Sequence, residues 1–153
     1  MRRALLDSNA LDPLTAKPSA YEALDQAVRS GKLEILYTHV TIDEIAAVPG
    51  LEKRQRLLNM LVFLGRPIVT GGFVWDTSRW DLGSWMAEDD DTIDPLRSGN
   101  VRHTRDALIA HTALREQCAL ITNEHRLTGR AREQGIEVLT TAELFAEIGF
   151  PIT

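Results

Sequence analysis

Cysteine is almost absent from this sequence of 153 residues, which contains only Cys118. No disulfide can form within the chain, and zinc sites built from several thiolates are excluded as well. Because scarce cysteine is typical of proteins in a reducing compartment, the sequence favours a cytoplasmic location.

Long hydrophobic runs are also lacking. Only Ala4, Leu5 and Leu6 separate Arg3 from Asp7, and this stretch is far too short for the apolar core of a signal peptide. No uncharged apolar stretch approaches the ~20 residues that cross a bilayer. We therefore expect no membrane partner.

Two common kinds of catalytic motif are missing. The sequence has no glycine-rich loop of the Walker type. It also has no group of Ser, Cys and His at a recognisable spacing that would supply a covalent nucleophile.

The net charge of −5 argues against a phosphate-rich partner until its distribution is considered. Five acidic residues fall between positions 88 and 94, and they account for the whole net charge. Arginines flank two other acidic positions, and their planar guanidinium groups suit phosphate oxygens. Solvated helix faces would have the same composition, so that alternative stays open. The candidate phosphate contacts are Arg102, Arg105, Arg126 and Arg130.

Strand and helix signals alternate along the chain, which indicates an α/β fold with a parallel sheet covered by helices on both faces. We expect one domain over residues 1–153 and a sheet of four to five strands. A less regular segment at about 71–101 contains three tryptophans, which we interpret as core or interface anchors. The predicted strands span residues 3–6, 33–37, 67–70, 119–122 and 136–139; the predicted helices span 18–30, 51–64, 104–117, 127–134 and 142–148, with a further short helix beginning at 41.

Four acidic residues stand where predicted strands or loops lead into helices: Asp7, Glu44, Asp106 and Glu124. In open α/β sheets, ligands bind at the carboxyl ends of the strands. Carboxylates gathered there repel one another, by roughly 4 kcal/mol for a pair ~4 Å apart at an effective dielectric near 20. A divalent cation held by oxygen ligands would offset this repulsion, so the pattern predicts a metal site.

Each of these acids also has a structural explanation. Thr41 and Glu44 fit a helix capping box, and Asp106 in a first helical turn is favoured by the helix dipole by about 0.3 to 1 kcal/mol. Asp7 could stabilise a turn through its own side chain, and Glu124 could be an ordinary loop residue. The coincidence of four acids at equivalent junctions is what favours the functional interpretation.

Four stretches of the sequence resemble the motifs of the PIN-domain ribonucleases, and they occur in the expected order. The resemblance extends over almost the whole chain and is weakest at residues 71–101. The stretches are Leu5-Leu6-Asp7-Ser8-Asn9, Val40-Thr41-Ile42-Asp43-Glu44-Ile45, Asp106-Ala107-Leu108-Ile109-Ala110-His111-Thr112-Ala113-Leu114 and Leu120-Ile121-Thr122-Asn123-Glu124.

The resemblance implies a three-layer α/β/α sandwich in which acidic residues hold Mg2+ or Mn2+ and direct water onto an RNA phosphodiester. Asp7, Glu44 and Asp106 match three of the family's acidic positions. At the fourth, Glu124 stands where the family more often has Asp, which favours water-mediated contact with the metal.

The resemblance also implies roles for neighbouring side chains. Asn9 and Thr122 are secondary candidates that could orient a metal-bound water or a phosphate oxygen. His111 stands where the family usually has a small residue, and it is expected in the core or behind the metal ligands.

Small single-domain members of the family are often toxins of VapBC-type toxin–antitoxin pairs. The resemblance therefore implies a ribonuclease toxin, a separate antitoxin protein as partner and a homodimer. An inactive PIN-like module that binds RNA or protein is one alternative. A haloacid-dehalogenase-like phosphotransferase is another, but it needs a second Asp at the position of Asn9 and a downstream lysine, and the last lysine here is Lys53.

Overall fold

Five short parallel strands form a single sheet in this computed structural model, which describes residues 1–70 and 104–152. The strand order is β3-β2-β1-β4-β5, so the first strand lies in the centre. In the register, Leu5 pairs with Leu36 on one side and with Leu120 on the other. The strands are β1 (Arg2–Leu6), β2 (Leu33–Tyr37), β3 (Gly65–Pro67), β4 (Ala119–Ile121) and β5 (Val138–Leu139).

Helices connect the strands and cover both faces of the sheet. A 3-10 helix, Ser8–Ala16, follows β1 directly. The α-helices of the described residues are α1 (Pro18–Arg29), α2 (His39–Ala46), α3 (Leu51–Leu64), α4 (Thr104–Glu116), α5 (His125–Glu133) and α6 (Thr141–Glu147).

The alternation of side chains along each strand produces two separate cores. Ala4 and Leu6 of β1 lie in one core with apolar residues of α1, α3 and α6. Leu5, which points to the opposite face, lies in the other core with residues of α4 and α5. Because successive strand residues point to opposite faces, an almost fully apolar β1 requires helices on both sides. The expected three-layer α/β/α sandwich is confirmed, with five strands.

The predicted helices and four of the five predicted strands agree with the structure to within two residues; α2, for example, begins at His39, two residues before the predicted start. A 3-10 helix that the sequence pattern did not indicate occupies Ser8–Ala16. The predicted strand 67–70 is wrong in position, because β3 is Gly65–Pro67. Gly65, which directly follows α3, is the first residue of the strand and pairs with Ile35.

The predicted irregular segment 71–101, with Trp75, Trp80, Trp85 and the acidic residues of positions 88–94, lies outside the described residues. Across the two described ranges, no helix is long and apolar enough to cross a membrane.

Gly65 allows β3 to approach β2 closely. A Cβ at this position would lie 2.8 Å from Cδ1 of Tyr37 and 3.1 Å from the carbonyl oxygen of Leu61. We therefore expect Gly65→Ala to lower the free energy of unfolding by about 1–3 kcal/mol, because both neighbours are packed. Urea or thermal denaturation measures the change.

Gly129, inside α5, provides a matched control, because a Cβ there would meet no heavy atom within 4 Å. Gly129→Ala should raise the free energy of unfolding by about 0.5–1 kcal/mol, since glycine is unfavourable inside a helix. Equal effects of the two substitutions would contradict the packing argument.

Candidate metal and active site

Asp7 lies directly after β1 at the carboxyl edge of the sheet, and only 3% of its surface is exposed. Its backbone N–H donates to the carbonyl oxygen of Ile121 at 3.0 Å, which extends the pairing of β1 with β4 by one residue. Its carboxylate accepts two hydrogen bonds of 2.8 Å, from the Ser8 backbone N–H to Oδ1 and from the Thr122 hydroxyl to Oδ2. A carboxylate has about four acceptor positions, so oxygen lone pairs remain for a further ligand.

Burial raises the pKa of Asp7 from an ordinary value of 3.8 to about 6. The hydrogen bonds from Thr122 and Ser8 act in the opposite direction, because they stabilise the charged form. The negative charges of Asp106 and Glu124 raise the pKa further. Asp7 is therefore a buried carboxylate surrounded by charges of its own sign.

Glu44, on α2, is half-buried on the same side of the molecule as Asp7. Burial raises the pKa of Glu44 from 4.5 to about 7, and a hydrogen bond with the Ser8 side chain opposes this rise. The negative charges of Asp7 and Asp106 raise the pKa further, while the positive charge of Arg105 lowers it. Ser8 thus contacts both carboxylates, through its backbone N–H at Asp7 and through its side chain at Glu44.

The capping box proposed for Thr41 and Glu44 is wrong. The N-cap of α2 is Thr38, and Thr41 lies inside the helix. The buried Thr41 hydroxyl donates to the carbonyl oxygen of Leu6 at 3.0 Å, which fixes α2 against the end of β1. Glu44 is therefore not explained by helix capping.

Asp106 lies in the first turn of α4, where the helix dipole favours a negative charge. Its charge acts on both Asp7 and Glu44, so it belongs to the same cluster. The structure thus brings together Asp7, Glu44 and Asp106, which lie after β1, on α2 and at the start of α4. In the sequence, the first and the last of these acids are about a hundred residues apart.

Glu124 has a structural role at the edge of this cluster. It is the N-cap of α5, where its carboxylate accepts from the Arg126 backbone N–H at 3.2 Å, and its side chain is exposed. Its own N–H donates to the Thr122 hydroxyl at 3.1 Å. Thr122 therefore connects Glu124 to Asp7 through one fully buried hydroxyl group.

The donor set fits a hard divalent cation. All the candidate ligands are carboxylate oxygens, and Mg2+ typically binds one or two protein carboxylates while keeping several waters. Within residues 1–70 and 104–152, no group of three or more His, Cys, Asp or Glu side chains is arranged to hold a metal ion. The fit therefore rests on the chemistry of the oxygen ligands, with water completing the coordination of the ion.

The other candidate residues occupy different environments. The side-chain oxygen of Asn9 accepts from the Asn123 backbone N–H at 2.9 Å. Arg105 and Arg126 are exposed beside the acids, and Arg130 is half-buried on α5. Arg102 lies outside the described residues. His111 is completely buried in α4.

Sequence reasoning missed Ser8, which hydrogen-bonds to Asp7 and Glu44, and Asn123, which hydrogen-bonds to Asn9 beside the cluster. The available signal was their position: each stands beside a candidate acid in a short polar turn, Asp7-Ser8-Asn9 and Thr122-Asn123-Glu124. Which partner such a side chain binds depends on the neighbouring strand, which the local sequence does not specify.

Comparisons with known proteins find solved structures whose fold is similar to that of this chain. No family model and no curated protein matches the sequence. The solved structure of PAE2754 from Pyrobaculum aerophilum is 16% identical, with a TM-score of 0.58 over 97% of this chain and 97% of that chain. VapBC2 from Rickettsia felis, bound to a DNA fragment from their promoter, is 16% identical, with a TM-score of 0.56 over 90% of this chain and 98% of that chain.

VapBC-1 from nontypeable Haemophilus influenzae is 13% identical, with a TM-score of 0.50 over 91% of this chain and 98% of that chain. At these identities, the likeness shows the fold alone. The chain has the VapC-type PIN-domain fold that the four sequence motifs led us to expect.

The raised pKa values of Asp7 and Glu44 predict a pH dependence of stability. Between its unfolded and folded pKa values, each carboxyl group binds more protons in the native state, so the free energy of unfolding falls as pH rises from about 4 to about 7. In Asp7→Asn the charge is absent at every pH. We therefore expect the melting temperature of this variant, measured in chelator, to exceed that of the wild type by an amount that grows from about pH 4 to about pH 6 and then levels off.

Glu133→Gln, which removes an exposed carboxylate on α5, should show no such trend. A pH-independent difference between Asp7→Asn and the wild type would contradict the assignment of a buried, like-charge cluster.

Proposed function

We propose that this protein is a metal-dependent ribonuclease in which the acidic cluster holds Mg2+ or Mn2+. The observation that carries the proposal is the Asp7 carboxylate, which is 3% exposed and lies among the charges of Glu44, Asp106 and Glu124. Stability alone does not favour such an arrangement, because burial and like charges both oppose ionisation. A bound cation would reverse that penalty.

Asp7, Glu44 and Asp106 would hold the ion, and Glu124 would act through a water molecule because its side chain is longer and exposed. When bound, such an ion lowers the pKa of a water, orients it and offsets the charge that develops on the phosphate and the leaving oxygen. Ser8 and Thr122 hold the Asp7 carboxylate in position by hydrogen bonds to its two oxygens. Asn9 and Thr122 remain candidates for orienting the substrate or its water.

The substrate would be RNA bound along the arginines beside the acids. Arg105 and Arg126 are both exposed. Arg105 precedes Asp106 by one position, and Arg126 follows Glu124 by two positions. Together with Arg130 and Arg102 they would contact phosphate oxygens, for which the guanidinium fork is suited. Binding of this kind depends on salt, because each phosphate contact releases counterions.

The biological role that fits best is the toxin of a toxin–antitoxin pair in the cytoplasm, acting as a homodimer and inhibited by a separate antitoxin protein. Two structures with the same fold, from Rickettsia felis and Haemophilus influenzae, are VapBC complexes. The chain covers 98% of the matched chain in each case, so its size suits this role. An inactive PIN-like binding module is the alternative outcome of the experiments below.

Metal binding should stabilise the protein. A ligand that binds only the native state adds about 2.7 kcal/mol at a hundred times its dissociation constant. For a domain of this size, that corresponds to a rise of several degrees, at about 2–4 °C per kcal/mol. We expect Mg2+ and Mn2+ to raise the melting temperature of the wild type and to leave that of Asp7→Asn unchanged; an unchanged wild-type curve from chelator to millimolar metal would count against the site.

Cleavage of single-stranded RNA should require the same acids. Asp7→Asn, Glu44→Gln and Asp106→Asn keep the side-chain shape but remove the charge, so each should abolish metal-dependent cleavage. Glu124→Gln should reduce the cleavage rate by about ten- to a hundred-fold, which is the usual loss when a residue that contacts the metal only through another group is changed. Glu133→Gln is the matched control and should retain wild-type activity.

Full cleavage by both Glu44→Gln and Asp106→Asn would overturn the nuclease assignment and favour a binding module. The readout is the fraction of labelled RNA cleaved with Mg2+, with Mn2+ and with chelator.

Arginine contacts to phosphate predict a change in salt dependence. For a single strand, each contact contributes about 0.7 to the slope of log affinity against log salt. Arg105→Ala and Arg126→Ala should each flatten the slope by about that amount, measured with RNA binding to the inactive Asp7→Asn background. Arg29→Ala, which removes an arginine paired with Asp25 on α1, is the control, and its slope should equal that of the Asp7→Asn parent. If Arg105→Ala and Arg126→Ala also keep the parent slope, RNA binds elsewhere.

A further inference from the structure

We propose that Asn123 and Thr141 form a clasp that positions the loop carrying Glu124 against the turn carrying Asp7. The inference rests on the proposed function, because its significance is the spacing of the acids in the metal site. It assigns a positioning role to two residues that do not themselves belong to the acidic cluster.

The clasp consists of five hydrogen bonds among three segments. The Asn123 backbone N–H donates to Oδ1 of Asn9 at 2.9 Å, and Nδ2 of Asn123 lies 3.4 Å from the carbonyl oxygen of Asn9. The same Nδ2 donates to the Thr141 hydroxyl at 3.0 Å, while the Thr141 backbone N–H donates to Oδ1 of Asn123 at 3.1 Å. The Thr141 hydroxyl then donates to the carbonyl oxygen of Ala10 at 2.8 Å.

These bonds join the turn after β1, the loop after β4 and the start of α6. Asn123 stands between Thr122, which donates to Asp7, and Glu124, which begins α5. Thr141 is 3% exposed, so its hydroxyl is removed from water and depends on these partners. A change in the clasp is therefore transmitted to residues on both sides of Asn123.

Helix capping does not account for the clasp. The N-cap of α6 is Thr140, whose hydroxyl accepts from the Glu143 backbone N–H at 3.2 Å. The Glu143 carboxylate accepts from the Thr140 backbone N–H at 2.7 Å, which completes a capping box. Since α6 has its own cap, the contacts of Asn123 with Thr141 serve to tie the loops together.

Asn9 also takes part in the clasp, besides the role that its sequence position suggests. Its side-chain oxygen accepts from the Asn123 backbone N–H, so the turn after β1 is bonded directly to the loop after β4. Within the turn Asp7-Ser8-Asn9, Ser8 therefore contacts the carboxylates of Asp7 and Glu44, and Asn9 contacts the loop after β4.

Three substitutions separate the clasp from packing and from helix stability. Thr141→Val keeps the shape of the side chain but removes the hydroxyl, whereas Thr141→Ser keeps the hydroxyl and removes a methyl group. Thr140→Ala removes the cap of the same helix, at an expected cost of about 0.5–2 kcal/mol, without touching the clasp. Each variant is examined by Mn2+ titration and by amide hydrogen exchange at Glu124 and Arg126, whose N–H groups bond within the loop.

We expect Thr141→Val to weaken Mn2+ binding by about ten-fold, near the lower end of the loss caused by removing partners of metal ligands. Exchange at Glu124 and Arg126 should accelerate in the same variant. Thr141→Ser and Thr140→Ala should both keep wild-type Mn2+ affinity and wild-type exchange at these two amides. Asn123→Ala, which removes the side-chain bonds of Asn123, should exceed the effect of Thr141→Val.

Two results would overturn the clasp. One is wild-type Mn2+ affinity together with wild-type exchange in Thr141→Val. The other is a loss of Mn2+ affinity in Thr140→Ala equal to that in Thr141→Val, because affinity would then depend on the stability of the helix. If the wild type binds no Mn2+, the proposed function is wrong, and the exchange data alone decide the clasp. Acceleration confined to Thr141→Val and Asn123→Ala would then support it, and unchanged exchange would refute it.

Discussion

The Asp7 carboxylate is almost completely removed from water at an edge of the sheet that it shares with other carboxylates. Its two oxygens accept from Ser8 and Thr122, and these bonds offset part of the cost of burying a charge. The remaining repulsion from Asp106 and Glu124 is not relieved by any of these contacts. This repulsion is the constraint on which the geometry of the surrounding loops depends, and it is the reason that we propose a cation at the site.

The strand order determines how this carboxylate is held. Because β1 and β4 are neighbours, Thr122 reaches Asp7 across 115 residues of sequence, and Asn123 reaches Asn9 across 114. The Thr41 hydroxyl fixes α2 to the end of β1 and so brings Glu44 to the same edge. Each contact joins a helix start or a turn to the central strand, so the sheet topology and the geometry of the acids are parts of one arrangement.

Polar turn residues carry more of the site than the acids alone suggest. Ser8 hydrogen-bonds to both Asp7 and Glu44, and Thr122 hydrogen-bonds to both Asp7 and Glu124. Asn123 connects the turn after β1 to α6. Such side chains make short, local hydrogen bonds in many turns, so their residue type carries little information by itself. Their role is specific because each partner lies on a different segment of the chain: Glu44 of α2 for Ser8, Asp7 after β1 for Thr122 and Thr141 of α6 for Asn123.

The sequence by itself determined the α/β class, the bounds of β2 and α3, and the positions of the four acids, because hydrophobic period and turn residues are local signals. Tertiary structure alone decided the rest. It showed that Thr41 bonds to Leu6 instead of capping α2, that Gly65 begins a strand against Tyr37, and that Asn9 faces Asn123. The physical reason is that a hydrogen-bond partner or a close backbone approach is supplied by a distant segment, and only the packed sheet brings that segment within reach.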